Sequence, residues 1–215
     1  MSSIPGPRIG GLYVVIDPAA CSGRRALAVA RAALDGGAAL LQWRDKLRDK
    51  GDQLAEVRAI AALCRERGAL LIVNDHADLA IAAGASGVHL GQHDLPIAAV
   101  RPMAGDAMVI GVSTNNVEEA RAAAEGGADY VAVGAIFPTS TKDVTRPASL
   151  DRLREIKRAV GVPVVAIGGI NASNIASVIE AGADGAAVIS AVCGAPDPRE
   201  AARALSSAFV KRGRW

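Results

Sequence analysis

Ala38-Ala39-Leu40-Leu41-Gln42-Trp43-Arg44-Asp45-Lys46 is an apolar run that stops in a knot of amide and charge. A strand that is apolar on both faces must be covered on both, as in a parallel sheet flanked by helices. The same shape recurs along the chain. Asn74-Asp75 closes the run that begins at Ala69, Gly91-Gln92-His93-Asp94 closes the next, and Ser113 the one after. Thr139-Ser140-Thr141-Lys142, Gly168-Gly169-Ile170 and Ile189-Ser190 complete the series. Reactive groups placed only where buried strands stop imply one shared pocket at one end of a sheet.

Hydrophobic periodicity predicts strands over 12–16, 38–42, 69–73, 87–90, 108–112, 129–133, 164–167 and 185–189. Helical spacing fills the intervals at 25–34, 52–67, 78–83, 96–103, 117–125, 150–159, 174–181 and 199–210. A weak repeat supports the count: Gly36-Gly37-Ala38, Gly84-Ala85-Ser86, Gly126-Gly127-Ala128-Asp129 and Gly182-Ala183-Asp184 each end a helix before a strand. Eight strand–helix units imply an α/β fold, a single (β/α)8 TIM barrel with its active site at the C-terminal ends of the strands. A doubly wound open sheet is the alternative, but no Gly-x-Gly-x-x-Gly follows the first strand. The expected organisation is one domain over 1–215, with a loose start at 1–10 and a basic tail at 211–215.

Hydrophobic residues make up 51% of the 215 and aromatics only 3%, so Ala, Val, Ile and Leu must pack the interior. The net charge of +2 argues against nucleic acid or an anionic membrane as partner. Cys21, Cys64 and Cys193 are odd in number and scattered, which excludes a disulfide framework and makes a reducing cytoplasm the expectation. No charged n-region with an apolar h-region opens the chain, so a signal peptide is not expected. The uncharged stretch 159–179 is interrupted by Pro163, Gly168, Gly169 and Asn171, which exclude a membrane span.

Gln42, Arg44 and Lys46 alternate, so an extended strand end projects all three to one side; the other possibility is a solvated loop. Asn74, Asp75 and Asp94 sit where helix caps belong, and Asp94 before Leu95-Pro96 has the pattern of an N-cap. Two carboxylates on neighbouring strand ends, opposite cations, also fit Mg²⁺ held with phosphate oxygens. His89 and His93 have a zinc-like spacing, but across a strand end rather than along a helix, which speaks against zinc. Asn115 or Asn116 with a Glu behind fits a capping box. Pro138 and the hydroxyls after it suggest a loop over the barrel mouth. Gly168-Gly169 and Ile189-Ser190 stand after strands seven and eight, where barrels hold phosphate on backbone N–H groups. Arg44, Lys46 and Lys142 bring three positive charges and Asp75 and Asp94 two negative ones. A close pair near a surface is worth about 4 kcal/mol before desolvation, so without a metal the two aspartates cancel much of the attraction for a diphosphate, and one divalent ion restores it.

Together, Gln42-x-Arg44-Asp45-Lys46, Asn74-Asp75, Gly87-Val88-His89-Leu90-Gly91-Gln92-x-Asp94, Gly111-Val112-Ser113, Thr139-x-Thr141-Lys142, Gly168-Gly169-Ile170 and Ile189-Ser190 resemble the thiamine phosphate synthase family. The resemblance implies a transferase that joins 4-amino-2-methyl-5-(diphosphomethyl)pyrimidine to 4-methyl-5-(2-phosphoethyl)thiazole, or its 2-carboxylate, with Mg²⁺. It assigns Gln42, Trp43, Arg44, Asp45, Lys46, Asn74, Ser113 and Lys142 to the pyrimidine diphosphate, with Arg44, Lys46, Ser113 and Lys142 the catalytic set. Asp75 and Asp94 fall to the metal, and Thr139, Ser140, Thr141, Gly169, Ile189 and Ser190 to the thiazole phosphate. The implied partners are these two small phosphorylated substrates, and a homo-oligomer is left open. Trp43 departs from the usual aliphatic residue, Asn115 stands where many relatives carry His, and 143–147 is idiosyncratic. The rivals are a thiazole tautomerase-like isomerase, which a His at 115 would have favoured, and a non-catalytic phosphate-binding barrel.

Overall fold

The structure is a computed structural model and describes residues 9–139 and 147–210. Eight strands run β1 Gly11–Ile16, β2 Leu40–Trp43, β3 Leu70–Asn74, β4 Gly87–Leu90, β5 Val109–Thr114, β6 Tyr130–Val133, β7 Val164–Ile167 and β8 Gly185–Val188. Between them lie α1 Ala26–Asp35, α2 Lys50–Glu66, α3 Ala77–Ala83, α4 Ile97–Ala104, α5 Val117–Glu125, α6 Leu150–Ala159 and α7 Ile175–Glu180, followed after β8 by α8 Ser190–Cys193 and α9 Pro198–Val210. The strands pair in sequence order as a closed parallel barrel, and β8 returns to β1 with Gly11 opposite Gly185 and Val14 opposite Val188. The eight predicted strand–helix units and the TIM barrel are therefore observed.

Closure gives each strand two buried faces, and alternate residues feed two separate cores. Tyr13, Val15, Leu40, Ile72, Val109, Tyr130, Val165 and Ala187 fill the inside of the barrel. Leu12, Val14, Leu41, Trp43 and Val73 face outward against helix residues such as Val57, Ile60, Leu153, Ile156 and Phe209. Burying each branched side chain contributes about 1.5–3 kcal/mol. Helix α6 shows how a local sequence commits to this layer. Ser149 Oγ accepts the Arg152 N–H at 3.1 Å as N-cap, Leu153 and Ile156 turn inward, and Lys157 and Arg158 sit in the last turn, where cations favour the helix dipole.

The weak repeat has a structural role. Gly37, Gly84, Gly127 and Gly182 all take positive φ, between 65° and 101°, a region glycine enters without steric penalty. In three of the four units the polar residue that follows ties neighbouring strands at their N-terminal ends. Ser86 Oγ accepts the Leu71 N–H at 3.2 Å, Asp129 Oδ2 that of Ile110 at 2.7 Å, and Asp184 Oδ2 that of Val164 at 2.7 Å. These stitches rigidify the end of the barrel opposite the polar knots.

Two expectations change. Ile9 and Gly10, placed in the loose start, are buried, and Ile9 packs into the barrel interior. The last strand ends at Val188, and Ile189 caps the four-residue helix α8, too short to leave a periodic signal.

Candidate active site

Strand parity puts residues two beyond the inner core at the mouth. Gln42, two after Leu40, is buried and donates from Nε2 to the Tyr13 hydroxyl at 2.8 Å. The Tyr13 and Tyr130 hydroxyls lie 3.1 Å apart, and the Tyr130 hydroxyl is 3.0 Å from His89 Nδ1. His89 Nε2 in turn lies 2.9 Å from Ser113 Oγ, and its ring stacks on Tyr130 with centroids 5.5 Å apart. Gly111 makes this possible, because a Cβ there would meet the Tyr130 ring at 2.0 Å. A five-residue polar chain thus crosses the barrel beneath the mouth. Burial pushes both phenols above their usual pKa, so they stay neutral and serve as hydrogen-bonding groups.

Among the residues assigned from sequence, the ends of β2–β4 carry two groups of charges. The Arg44 guanidinium pairs with Asp17, the N-cap of a short 3₁₀ turn after β1, and both side chains are largely buried. Breaking a buried pair from one side costs about 3–5 kcal/mol, so Asp17 holds Arg44 firmly. Lys46 Nζ lies 3.4 Å from Asp75 Oδ2 but is 58% exposed, which limits that pair to about 1 kcal/mol or less. Lys46 can therefore exchange partners easily. Asp75 stands in left-handed backbone at φ 64°, a conformation Asp tolerates better than most residues. Burial first, and then the Asp94 carboxylate beside it, push the Asp75 carboxyl above its usual pKa, against the pull of Lys46. Asp94 Oδ2 accepts the Gly91 N–H at 2.6 Å. Neither aspartate caps a helix. His76 is the N-cap of α3 and Pro96 that of α4, both without a side-chain capping bond. The capping expectation for Asp94 is corrected: its carboxylate is turned back over the mouth-side turn.

Asp17 alters the charge balance as well. It adds a third carboxylate to the cation side, so a count made without it overstates the positive charge by one.

Trp43 and Asp45 face away from the mouth, because alternation that sends residues 42, 44 and 46 one way sends these the other. The Trp43 indole lies in the outer core with Nε1 donating to Gln53 Oε1 at 2.7 Å. The Asp45 carboxylate accepts the N–H groups of Leu47 at 2.9 Å and Arg48 at 3.2 Å and pairs with the Arg48 guanidinium. Burial opposes these contacts, yet together they hold Asp45 below its ordinary pKa. Both side chains are thus engaged within the protein, by α2 and by the 45–48 turn, rather than turned to the mouth.

On the β5–β8 side a cavity of about 1020 Å³ opens, lined by Ser113, Asn115, Thr139, Gly168, Gly169, Ile189 and Ser190 among others. Gly169 has φ 63°, and a Cβ there would meet the Pro138 carbonyl at 2.5 Å, so only glycine lets these loops close together. First-turn N–H groups of a helix have no intrahelical acceptor, and α8 presents such a turn at Ser190. Asn74 ends β3 opposite His89 in register, and its carbonyl accepts the His76 N–H at 2.7 Å. Asn116, not Asn115, caps α5: its Oδ1 accepts the Glu119 N–H at 2.8 Å, while Glu119 Oε2 takes the Asn115 N–H at 2.8 Å. Ser140, Thr141 and Lys142 lie outside the described residues.

Sequence reasoning missed Asp17, Tyr13, Tyr130 and His89 as parts of the site. The signal available was parity: Tyr13 and His89 share the inward phase of their strands, and Tyr130 is the register partner of Gly111.

Comparisons bear on what this mouth does. A family model described as thiamine monophosphate synthase matches residues 12–192. A thiamine-phosphate synthase of Methanoregula boonei is 52% identical over 196 residues, covering 90% of each chain. One of Roseiflexus sp. (strain RS-1) is 48% identical over 217 residues, covering 98% of this chain and 92% of the relative. The solved thiamine phosphate pyrophosphorylase of Pyrococcus furiosus superposes with a TM-score of 0.86 at 39% identity, covering 94% of this chain and 96% of that one. With a family model spanning most of the barrel and relatives this similar over nearly their whole length, the chain belongs to the thiamine monophosphate synthase family, a family of transferases.

Proposed function

We propose that this chain condenses a pyrimidinylmethyl diphosphate with a thiazole-ethyl phosphate, releasing diphosphate and forming thiamine phosphate. The observation that carries the reading is the Asp75–Asp94 carboxylate pair set against Lys46, with Arg44, two residues before Lys46, held on Asp17. A half-buried carboxylate beside a second one favours a cation shared between them. Among the described residues no group of three His, Cys, Asp or Glu is arranged to hold a metal ion by itself. Two carboxylates completed by phosphate oxygens and water are the donor set Mg²⁺ accepts. Asp75 and Asp94 fit that ion, which when bound supplies positive charge to the leaving diphosphate.

Arg44 and Lys46, with Lys142 by family resemblance, grip the diphosphate; Gln42, Asn74 and Ser113 orient the pyrimidine. Thr139, Gly169, Ile189 and Ser190, joined by Ser140 and Thr141 through the same resemblance, hold the thiazole phosphate by hydroxyl and backbone N–H groups. The bond from the pyrimidine methylene carbon to diphosphate breaks first, leaving a cation stabilised by the ring amino group. The thiazole nitrogen then supplies the electron pair of the new C–N bond. Positioning and charge neutralisation carry such a reaction. His89, engaged by Tyr130 and Ser113, orients Ser113. Asn115, where the isomerase would use His, donates from Nδ2 to the Gly134 carbonyl at 3.4 Å, and an amide exchanges no proton at neutral pH. The same proposal keeps 1–215 as one domain. It also keeps the chain in the cytoplasm, in accord with three free, buried thiols; among the described residues no helix is long and apolar enough to cross a membrane.

The test is to incubate purified protein with both substrates and read thiamine phosphate by mass spectrometry. Product is expected with Mg²⁺ and none in excess EDTA. Full turnover in EDTA rejects the metal, and no product under either condition rejects the reaction.

A further inference from the structure

Helix α2 buries Gln53, Val57, Ile60, Ala61 and Cys64 on one stripe, and Gln53 is its polar member at 1% exposure. A buried amide costs stability unless its hydrogen bonds are made. The Gln53 side chain spends its hydrogen bonds on one short segment. Its Oε1 accepts from Trp43 Nε1 at 2.7 Å, and its Nε2 donates to the Arg48 carbonyl at 2.6 Å and the Asp45 carbonyl at 3.4 Å. The Asp45 carboxylate ties the Leu47 and Arg48 N–H groups, and the Arg48 guanidinium lies 5.5 Å from the Trp43 ring centre while reaching Glu56 at 3.0 Å.

A leucine at 53 would fill the stripe as well. What the amide adds is direction, because it takes the Trp43 N–H and grips the Arg48 carbonyl, with a longer contact to the Asp45 carbonyl, and so clamps the segment on both sides of Arg44 and Lys46. We propose that Gln53 is a positioning residue: through Trp43 and the 45–48 turn it fixes how Arg44 and Lys46 leave the end of β2. This rests on the reading that Arg44 and Lys46 hold the diphosphate. Asp17 holds the Arg44 head, but on an unfixed turn the exposed Lys46 would have to be ordered against it at each binding event, and a misplacement of about 1 Å can cost a factor of about 100 in rate. The five-residue run 42–46 thus has a chemical face and a bracing face.

The test compares Gln53→Leu with the wild type, each alone and in an Arg44→Ala/Lys46→Ala background, by steady-state kinetics. Alone, Gln53→Leu is expected to lower kcat/KM for the pyrimidine diphosphate about tenfold or more, with KM for the thiazole phosphate changed less than about twofold. In the doubly substituted background the same change is expected to cost almost nothing further, since a residue acting through absent side chains has nothing to position. An equal loss in both backgrounds, a parallel rise in both KM values, or no effect at all overturns the proposal. If Arg44→Ala/Lys46→Ala itself spares the diphosphate substrate, the functional reading falls and the proposal with it. Should Gln53→Leu not fold, Trp43→Phe, which keeps an aromatic ring and removes the N–H donor, is expected to show the same selective pattern; loss on both substrates, or none, overturns the proposal there.

Discussion

Arg44→Ala is expected to lower kcat/KM for the pyrimidine diphosphate by about 10²–10³, the scale of one charge-assisted hydrogen bond removed from a developing anion. Binding of the thiazole phosphate should survive, because Thr139, Gly169, Ile189 and Ser190, the described residues assigned to it, line the cavity on the β5–β8 side. The substitution also leaves Asp17 as a buried carboxylate without its partner, which costs about 3–5 kcal/mol of stability. Adding Asp17→Asn to Arg44→Ala separates the two effects. The double variant should regain thermal stability over the single one and recover no activity. If activity returns with stability, Arg44 is structural and the diphosphate is held elsewhere. Equal loss of affinity for both ligands would indicate collapse of the pocket.

Asp75→Asn should do the opposite to stability and much the same to activity. Burial, followed by the neighbouring Asp94 carboxylate, raises the Asp75 pKa in the folded protein. A raised folded pKa means the native state binds this proton more tightly than the unfolded chain. That stability is present below the ordinary Asp range, about pH 3.9, and is lost as the pH climbs through the folded value. At neutral pH the ionised carboxylate therefore weighs against the fold. Asparagine removes the charge and also accepts the left-handed backbone at φ 64°. Without metal, the variant's Tm should exceed that of the wild type at pH 7, and the difference should vanish in acid. Turnover should fall about 10²–10³-fold, several kcal/mol of charge stabilisation, and Mg²⁺ should raise the wild-type Tm while leaving the variant's unmoved. A variant less stable than wild type at pH 7, or one that still responds to Mg²⁺, contradicts the assignment.

The barrel was legible because strands buried on both faces and Gly-ended helices repeat along the chain, and each unit obeys the same local rule. The ends of the strands were legible for a related reason: Arg44, Asp75, Asp94, Ser113 and Ser190 stand where apolar runs stop. Residues within the runs were harder to see. Tyr13, His89 and Tyr130 look like ordinary strand residues until register sets Tyr130 opposite Gly111. Asp17 followed by Pro18 reads as a turn, and only the pairing of β1 with β2 brings it to Arg44. Trp43 and Asp45 were legible as outward-facing from the same alternation that aimed Gln42, Arg44 and Lys46 at the mouth. Taking the motif as one contiguous block obscured this. Asp94 has a capping pattern in sequence, but Gly91 offers a nearer N–H and wins.

The most direct test titrates inorganic pyrophosphate into the full chain by calorimetry, once with Mg²⁺ and once with EDTA. Binding should tighten at least tenfold, about 1.4 kcal/mol, when Mg²⁺ is present, and Asp75→Asn should abolish the gain. Equal affinity with and without Mg²⁺, or a gain that persists in Asp75→Asn, would show that the two aspartates do not bring a cation to the departing anion.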